Sequence, residues 1–313
     1  MTGALHLSGW RYRAVILSVV FSALGYLGFS LWGGWQEVSN AVSKVGIVGI
    51  CIALLMSLLN YGLRFLRWQS YLKVLGYKVP WRSSLKIYLA GFALTTTPGK
   101  AGEALRGVLL KRWGVPYLQS FAAFFSERLS DLFAVVLLTL FGLTLYPEAR
   151  SMIVVGAALV VVGFLLLSHR GLIEYLAKLI PEHSSTKLLG FVRHLFHVLL
   201  EAQYCHRPGI LIGATLLSVL AWSAEALAFH WILQWMGADI PLAFAVFVYA
   251  LAMLAGALSF MPGGLGGAEA VMVALLVWVG MSSADAIAAT VLIRLVTLWF
   301  AVGIGGLMLS RSK

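Results

Sequence analysis

The chain has 313 residues, 61% of them hydrophobic and only 11% charged, with a mean hydropathy of +0.92. A soluble domain carries about a quarter charged residues, so the composition excludes an ordinary soluble fold and predicts an all-α polytopic membrane protein. The net charge of +11 raises nucleic acid as a partner, but the cations fall where they would set membrane orientation, and no nucleic-acid partner is expected.

A spanning helix needs roughly 20 apolar residues to cross a ~30 Å hydrocarbon core. The first candidate is Ala14–Trp32; Arg11 and Arg13 precede it, and it reads as a retained helix rather than a cleaved signal. The second is Val45–Leu66. An apolar run from Ser83 to Leu94 and a short helix from Glu103 to Trp113 follow, each too short to cross at 1.5 Å per residue. Between them lies Thr95-Thr96-Thr97-Pro98-Gly99-Lys100-Ala101-Gly102-Glu103-Ala104-Leu105-Arg106. A polar, helix-breaking stretch at membrane depth is tolerated only where protein buries it or it lines a cavity. These pieces predict a re-entrant hairpin with its tip in that loop. A long helix, about Tyr117–Tyr146, then carries Glu127, Arg128 and Asp131.

The next span is Ser151–Leu167. Residues 168–207 form a polar interruption with two helical pieces split at Pro181. The apolar spacing of the second piece, Leu189, Val192, Leu195, Phe196 and Leu199, suits a helix lying at the interface. His194, His197 and Glu201 share that piece, but the set lacks a fourth ligand and no metal is expected. Gly209–Trp235 is a further span. A second pair of short apolar pieces, Leu242–Phe260 and Glu269–Val279, flanks Met261-Pro262-Gly263-Gly264-Leu265-Gly266-Gly267-Ala268. Ala286–Leu309 is the last span. Cys51 and Cys205 lie on different segments and are expected as free thiols.

An internal repeat runs through this order. Glu103, Gly114 and Arg128 are spaced as Glu269, Gly280 and Arg294 are. Pro98-Gly99 answers Pro262-Gly263, and Gly76 to Pro80 answers Gly237 to Pro241. Repeat one covers about 10–146 and repeat two about 151–310 of a single membrane domain, 1–313. Three crossings per repeat make the halves inverted, giving six spanning helices plus two re-entrant hairpins. The positive-inside rule orients them. With both termini cytoplasmic, most of the 23 Lys and Arg fall inside, Arg64 and Arg67 among them; Lys44 and Arg150 fall outside. The first hairpin then enters from the cytoplasm and the second from the opposite side. Lys100, Arg106, Arg128 and Arg294 remain at membrane depth.

Inverted repeats with broken helices and a midplane site characterise secondary transporters. Helix N-termini near Glu103 and Glu269 would favour an anion, and the four buried cations would add full charge. Lys100, Arg106, Arg128, Arg294, Glu103, Glu269, Glu127 and Asp131 are therefore the candidate substrate-binding residues. Pro98, Gly99, Gly102, Pro262, Gly263, Gly264 and Gly266 are the candidate loop and hinge residues. Structural roles stand beside these: Glu103 and Glu269 as helix caps, Arg128 as a neutraliser of acids, the glycines as packing contacts. Lys100 and Arg106 have no counterpart in the second half, where Gly264 and Met272 stand, and are the cations expected to serve substrate. Glu225 and His230 are expected to pack in the core with local partners.

The Pro98–Arg106 stretch, Glu127-Arg128-Leu129-Ser130-Asp131, Pro262–Glu269 and Arg294 together resemble the transmembrane, flippase-like domain of the lysylphosphatidylglycerol synthase family, over roughly residues 10–310. In the bifunctional members, this resemblance implies, the domain moves an aminoacylated phospholipid between leaflets and a separate cytosolic domain makes the lipid. The chain ends at Lys313, so the resemblance implies the membrane domain alone. A lipid translocase of the cytoplasmic (inner) membrane, acting on a phospholipid or a polyprenyl-phosphate-linked lipid without cofactor, is the expected function. A membrane-embedded lipid-modifying enzyme using Glu127 and Asp131, and a non-catalytic membrane partner of a lipid or glycan biosynthesis enzyme, are the alternatives.

Overall fold

The computed structural model describes residues 28, 35–96, 101–178, 187–259 and 261–310. The expected first span apart from Gly28, the loop tip 97–100 and Pro181 lie outside them. Every regular element among the described residues is helical. The helices are α1 (Trp35–Val74), α2 (Trp81–Ala90), α3 (Ala101–Lys111), α4 (Tyr117–Leu143), α5 (Arg150–Ser168), α6 (Arg170–Lys178), α7 (Lys187–Ala202), α8 (Pro208–Trp235), α9 (Leu242–Leu258), α10 (Gly267–Trp278), α11 (Ser283–Arg294) and α12 (Phe300–Ser310).

Among the described residues, four helical stretches are long and apolar enough to cross a membrane: α1, α5, α8 and the continuous α11–α12. α4, with 27 residues, reaches about 40 Å but carries Glu127, Arg128 and Asp131. α5 is apolar all round yet has no buried residue. Such a helix has no stable place in water, and its surface suits hydrocarbon. The protein is an α-helical membrane protein. The expected elements that fall within the described residues recur with longer or shifted ends; the largest shift is α1, which overruns Val45–Leu66 on both sides.

α1 and α8 form the central pair. Gly49 lies against the Trp235 ring, Asn60 Nδ2 donates to Ala221 O at 2.8 Å, and Arg67 donates to Ser218 Oγ. The partners run in reverse order, so the helices are antiparallel. α4 packs on both α8 and α9, and α11 on α1. α2 and α3 contain 10 and 11 residues, about half the length needed to cross. They are joined through a buried 3₁₀ turn, Gly91–Leu94. α9 and α10 form the corresponding short pair, with Gly256 against Gly264 and Ala268. The two breaks meet: Gly263 lies against Thr96.

A π turn, Leu295–Trp299, separates α11 from α12. It loosens the helical ladder, and α1 takes up the exposed carbonyls. Ser57 Oγ donates to Val296 O at 2.8 Å, and Tyr61 OH donates to Thr297 O. Beyond it, Gly305 presses on the 3₁₀ turn. A Cβ there would sit 2.2 Å from the Ala93 backbone nitrogen. α7 packs on α4 through Val198, Ala202 and Ala122, and the α7–α8 turn buries His206, whose Nε2 lies 3.1 Å from Ser126 Oγ.

Two outcomes follow from this packing. Gly305→Ala lowers stability by about 1–3 kcal/mol, the usual cost of overpacking, whereas Gly306→Ala, with open space at its Cβ, leaves it unchanged; thermal unfolding in detergent reads both. Burial pushes the His206 imidazole down to about 4, while an unfolded histidine titrates near 6.5. The unfolded chain therefore takes up the proton first as pH falls. The contribution is whole above about pH 6.5 and is lost as pH falls toward 4. His206→Gln flattens that part of the stability–pH profile; an unchanged profile contradicts the assignment.

Candidate functional site

α4 brings Glu127 and Asp131 to one face, four residues apart, and both side chains are buried. Facing them, α1 presents Arg64 and Arg67, and α3 presents Arg106. Asp131 accepts from Arg64 Nη2 at 3.0 Å, from Arg67 Nη1 at 2.6 Å and from the Trp222 indole N–H at 3.1 Å. Arg128, one turn before it on α4, lies 3.3 Å from its second oxygen. Glu127 accepts from Arg106 Nη1 at 2.8 Å, and Arg67 Nη2 stands 3.6 Å from its other oxygen.

Aromatic rings form the walls. The Arg106 guanidinium sits 4.4 Å over the Tyr88 ring, Arg64 lies 5.4 Å over Trp222, and Arg128 lies 5.3 Å over Phe124. Cation–π contacts of this kind gain strength when water is excluded. Room for Arg106 comes from Gly91, where a Cβ would stand 2.4 Å from its Nε.

Among the described side chains the cluster thus sets four guanidinium groups against two carboxylates. The positive charge is not fully matched, and neither are the donors. Nε of Arg64, Arg67, Arg106 and Arg128, and Nη2 of Arg67, are buried without a hydrogen-bond partner. Burying a donor unpaired costs about 1–3 kcal/mol, more for a charged group. A concentration of such donors fits an oxyanion with several acceptor oxygens, and arginine forks suit phosphate geometry.

The second half holds a separate pair. Glu269 Oε2 accepts the Gly266 N–H at 2.6 Å, and Glu269 Oε1 accepts from Arg294 Nε at 2.7 Å. Arg294 Nη2 donates to Gly263 O at 2.9 Å. Glu269 therefore caps its own helix and ties α10 to α11, while Arg294 holds the Pro262–Gly264 turn. Gly263, Gly264 and Gly266 take left-handed backbone there. No ion pair links this group to the first cluster among the described side chains. Glu225, between the two along α8, is buried and accepts from Tyr249 OH at 2.6 Å, the local partner expected for it.

Three expectations change. Arg64 and Arg67, counted as solvated cytoplasmic cations, are built into the core; Arg67 is 0% exposed. Their inward direction is written in a polar stripe on α1, where Ser57, Asn60, Arg64, Arg67 and Tyr71 recur at alternating three- and four-residue steps. Arg106, one of the two cations expected to serve substrate, also pairs with Glu127. Arg128 neutralises an acid of its own helix rather than one across the two hairpins. Pro98, Gly99 and Lys100 lie outside the described residues. Glu103 and Gly102 fall on the first turn of α3, and the side chain of Glu103 is outside the description.

Arg67→Ala strips both acids of a buried partner and destabilises the fold by about 3–5 kcal/mol. Chemical denaturation of the purified protein checks this, and a loss below about 1 kcal/mol, the level of an exposed pair, contradicts the assigned role.

Residues 15–305 match the family described as lysylphosphatidylglycerol synthase TM region. The chain is 26% identical to UPF0104 membrane protein PH1989 of Pyrococcus horikoshii, covering 97% of each chain. It is also 26% identical to a UPF0104 membrane protein of Methanothermobacter thermautotrophicus, covering 94% of each. A second UPF0104 membrane protein of that organism is 24% identical, with 92% of this chain and 91% of the relative covered. These relatives are matched almost end to end. The chain belongs to the lysylphosphatidylglycerol synthase transmembrane-region family.

Proposed function

We propose that the protein moves a phosphate-bearing lipid headgroup between membrane leaflets through a polar path beside the two helix breaks. The observation that carries this reading is the four-arginine cluster with its buried, unpartnered N–H groups. Arg64, Arg106 and Arg128 are the groups that receive the headgroup phosphate; Arg67, wholly enclosed, holds the two acids in place.

Internal symmetry supports a transporter architecture. Gly76, Gly114, Gly237 and Gly280 all have φ between 75° and 97°, and each closes its helix with the same pair of bonds. The glycine N–H reaches back three residues and the next N–H five, as in Tyr77 to Leu72 and Ala238 to Leu233. That is the Schellman closure. Gly76 corresponds to Gly237 and Gly114 to Gly280 in the expected repeat. Counted from these glycines, Asn60 corresponds to Ala221, and the two touch each other. Tyr61 corresponds to Trp222 and Thr297 to Asp131; Tyr61 bonds Thr297 while Trp222 bonds Asp131. Equivalent residues making equivalent contacts across an antiparallel helix pair favour two inverted repeats, about 10–146 and 151–310. α2–α3 and α9–α10 are then re-entrant hairpins entering from opposite faces. Lys73, Lys78, Arg82, Lys86, Lys111 and Arg112 still favour the cytoplasm for the first hairpin and both termini, in the inner membrane. α6 and α7 are read as lying along the cytoplasmic interface.

An enzyme using Glu127 and Asp131 as acid and base needs one carboxylate free to exchange a proton. Both are held by guanidinium groups, which favours transport over chemistry.

The test uses vesicles with acyl-chain-labelled phosphatidylglycerol and an impermeant reductant that bleaches the outer leaflet. Wild-type protein makes the inner-leaflet pool accessible. Arg128→Ala lowers the rate about tenfold, the worth of one charge-assisted hydrogen bond, and alters stability by less than about 1 kcal/mol because the pair is part exposed. Wild-type vesicles that bleach no faster than protein-free ones contradict the function.

A further inference from the structure

Four carboxylates are buried among the described side chains: Glu127, Asp131, Glu225 and Glu269. Three of them lie within 4 Å of an arginine. Glu225 does not. It is 5% exposed, and its hydrogen-bond partner among the described side chains is the hydroxyl of Tyr249, itself 1% exposed. An ionised carboxylate in this position has lost its water and gained no counter-charge, a state that costs several kcal/mol in a protein interior. Taking up a proton removes that cost. Intramembrane acids of this kind mark proton relays in transporters.

Its surroundings link it to the arginine cluster. Trp222 stands one turn before Glu225 on α8. Its indole N–H donates to Asp131, its ring carries the Arg64 guanidinium, and the same ring lies 6.5 Å from the Tyr249 ring. The charged and titratable groups facing Glu225 come from every helix packed on α8: Tyr61 and Arg64 from α1, Asp131 from α4, Tyr249 from α9 and Arg294 from α11. Arg294 is already held by Glu269. Arg64, over the Trp222 face, is the candidate to change partner, because Asp131 keeps Arg67 and Arg128 without it. In the proposed repeat, Arg64 and Glu225 occupy the same position, twelve residues before Gly76 and Gly237 respectively.

We infer that Glu225 is a proton-binding site, and, resting on the translocase reading above, that its protonation drives headgroup movement by switching Arg64 between two carboxylates. With the proton on Glu225, Arg64 pairs with Asp131, the arrangement observed. When the proton leaves, the new carboxylate draws Arg64 away, and Asp131 keeps Arg67 and Arg128. The two states differ in a named ion pair, which is what a proton must change to shift their populations.

The site and its coupling are read separately. Infrared difference spectra of the full protein in lipid nanodiscs, titrated with pH, show the carbonyl stretch of a buried carboxylic acid in the wild type and lose it in Glu225→Gln. Tyr249→Phe removes the hydrogen bond and moves the band's midpoint up by about one pH unit; this variant decides the matter if Glu225→Gln fails to fold. In vesicles with acyl-labelled phosphatidylglycerol and an entrapped pH dye, an imposed proton gradient accelerates the wild type several-fold, and Glu225→Gln loses that response. A band that survives in Glu225→Gln overturns the site. A gradient response that survives there overturns the coupling. A Glu225-dependent band without lipid movement in the wild type upholds the proton site and overturns the translocase reading instead.

Discussion

Asp131 is the group on which the interior depends. It holds Arg64 and Arg67 of α1, Arg128 of its own helix and the Trp222 indole of α8. Three helices are thereby fixed by one carboxylate. Bringing an ion out of water costs several kcal/mol, and only close, multiple partners offset it. The geometry supplies them from both sides of the acid. Glu127, one turn earlier, repeats the arrangement with Arg106 and so fastens α3 to the same centre. The arginines outnumber the acids, and several of their N–H groups are buried without a hydrogen-bond partner.

The helix breaks follow from the same demand. A continuous helix hides its backbone polar groups but offers no free donors or acceptors. Short helices that stop within the protein expose their ends, so each break needs a local partner. Glu269 meets that need at α10, and Arg294 meets it at the Gly263 carbonyl. The π turn after Arg294 exposes carbonyls that Ser57 and Tyr61 take up. The breaks of the second half are thus satisfied by its own Glu269 and Arg294 and by Ser57 and Tyr61 of α1. The first half keeps spare positive charge, and the proposed phosphate site rests on that difference between the halves. Glu225 adds an acid to the second half at the position that Arg64 holds in the first.

Most helices were legible because apolar runs end at glycine, proline or charge. Gly76, Gly114, Gly237 and Gly280 mark helix ends in the sequence and do so in the structure. The π turn was not legible. Leu-Val-Thr-Leu-Trp contains no helix breaker, and its cause is the set of donors on α1, distant in sequence. Arg64 and Arg67 were misplaced because counting cations near a helix end assumes that each one reaches water. Their phase on the helix, in line with Ser57 and Asn60, carries the opposite message. Arg106 was expected to serve substrate because the repeat offers no counterpart; its partner Glu127 comes from another helix and only the packing of α3 on α4 reveals it. The candidates Glu127, Asp131, Arg106 and Arg128 do converge in one cluster, while Glu269 and Arg294 form their own.

The most direct measurement is an experimental structure of the protein in nanodiscs with native lipid retained, read for the position of the headgroup phosphate. The account predicts phosphate density within hydrogen-bonding distance of Arg64, Arg106 or Arg128, on the N–H groups that lack a partner here. Lipid confined to the outer helical surface, with these N–H groups filled only by protein or water, would contradict it.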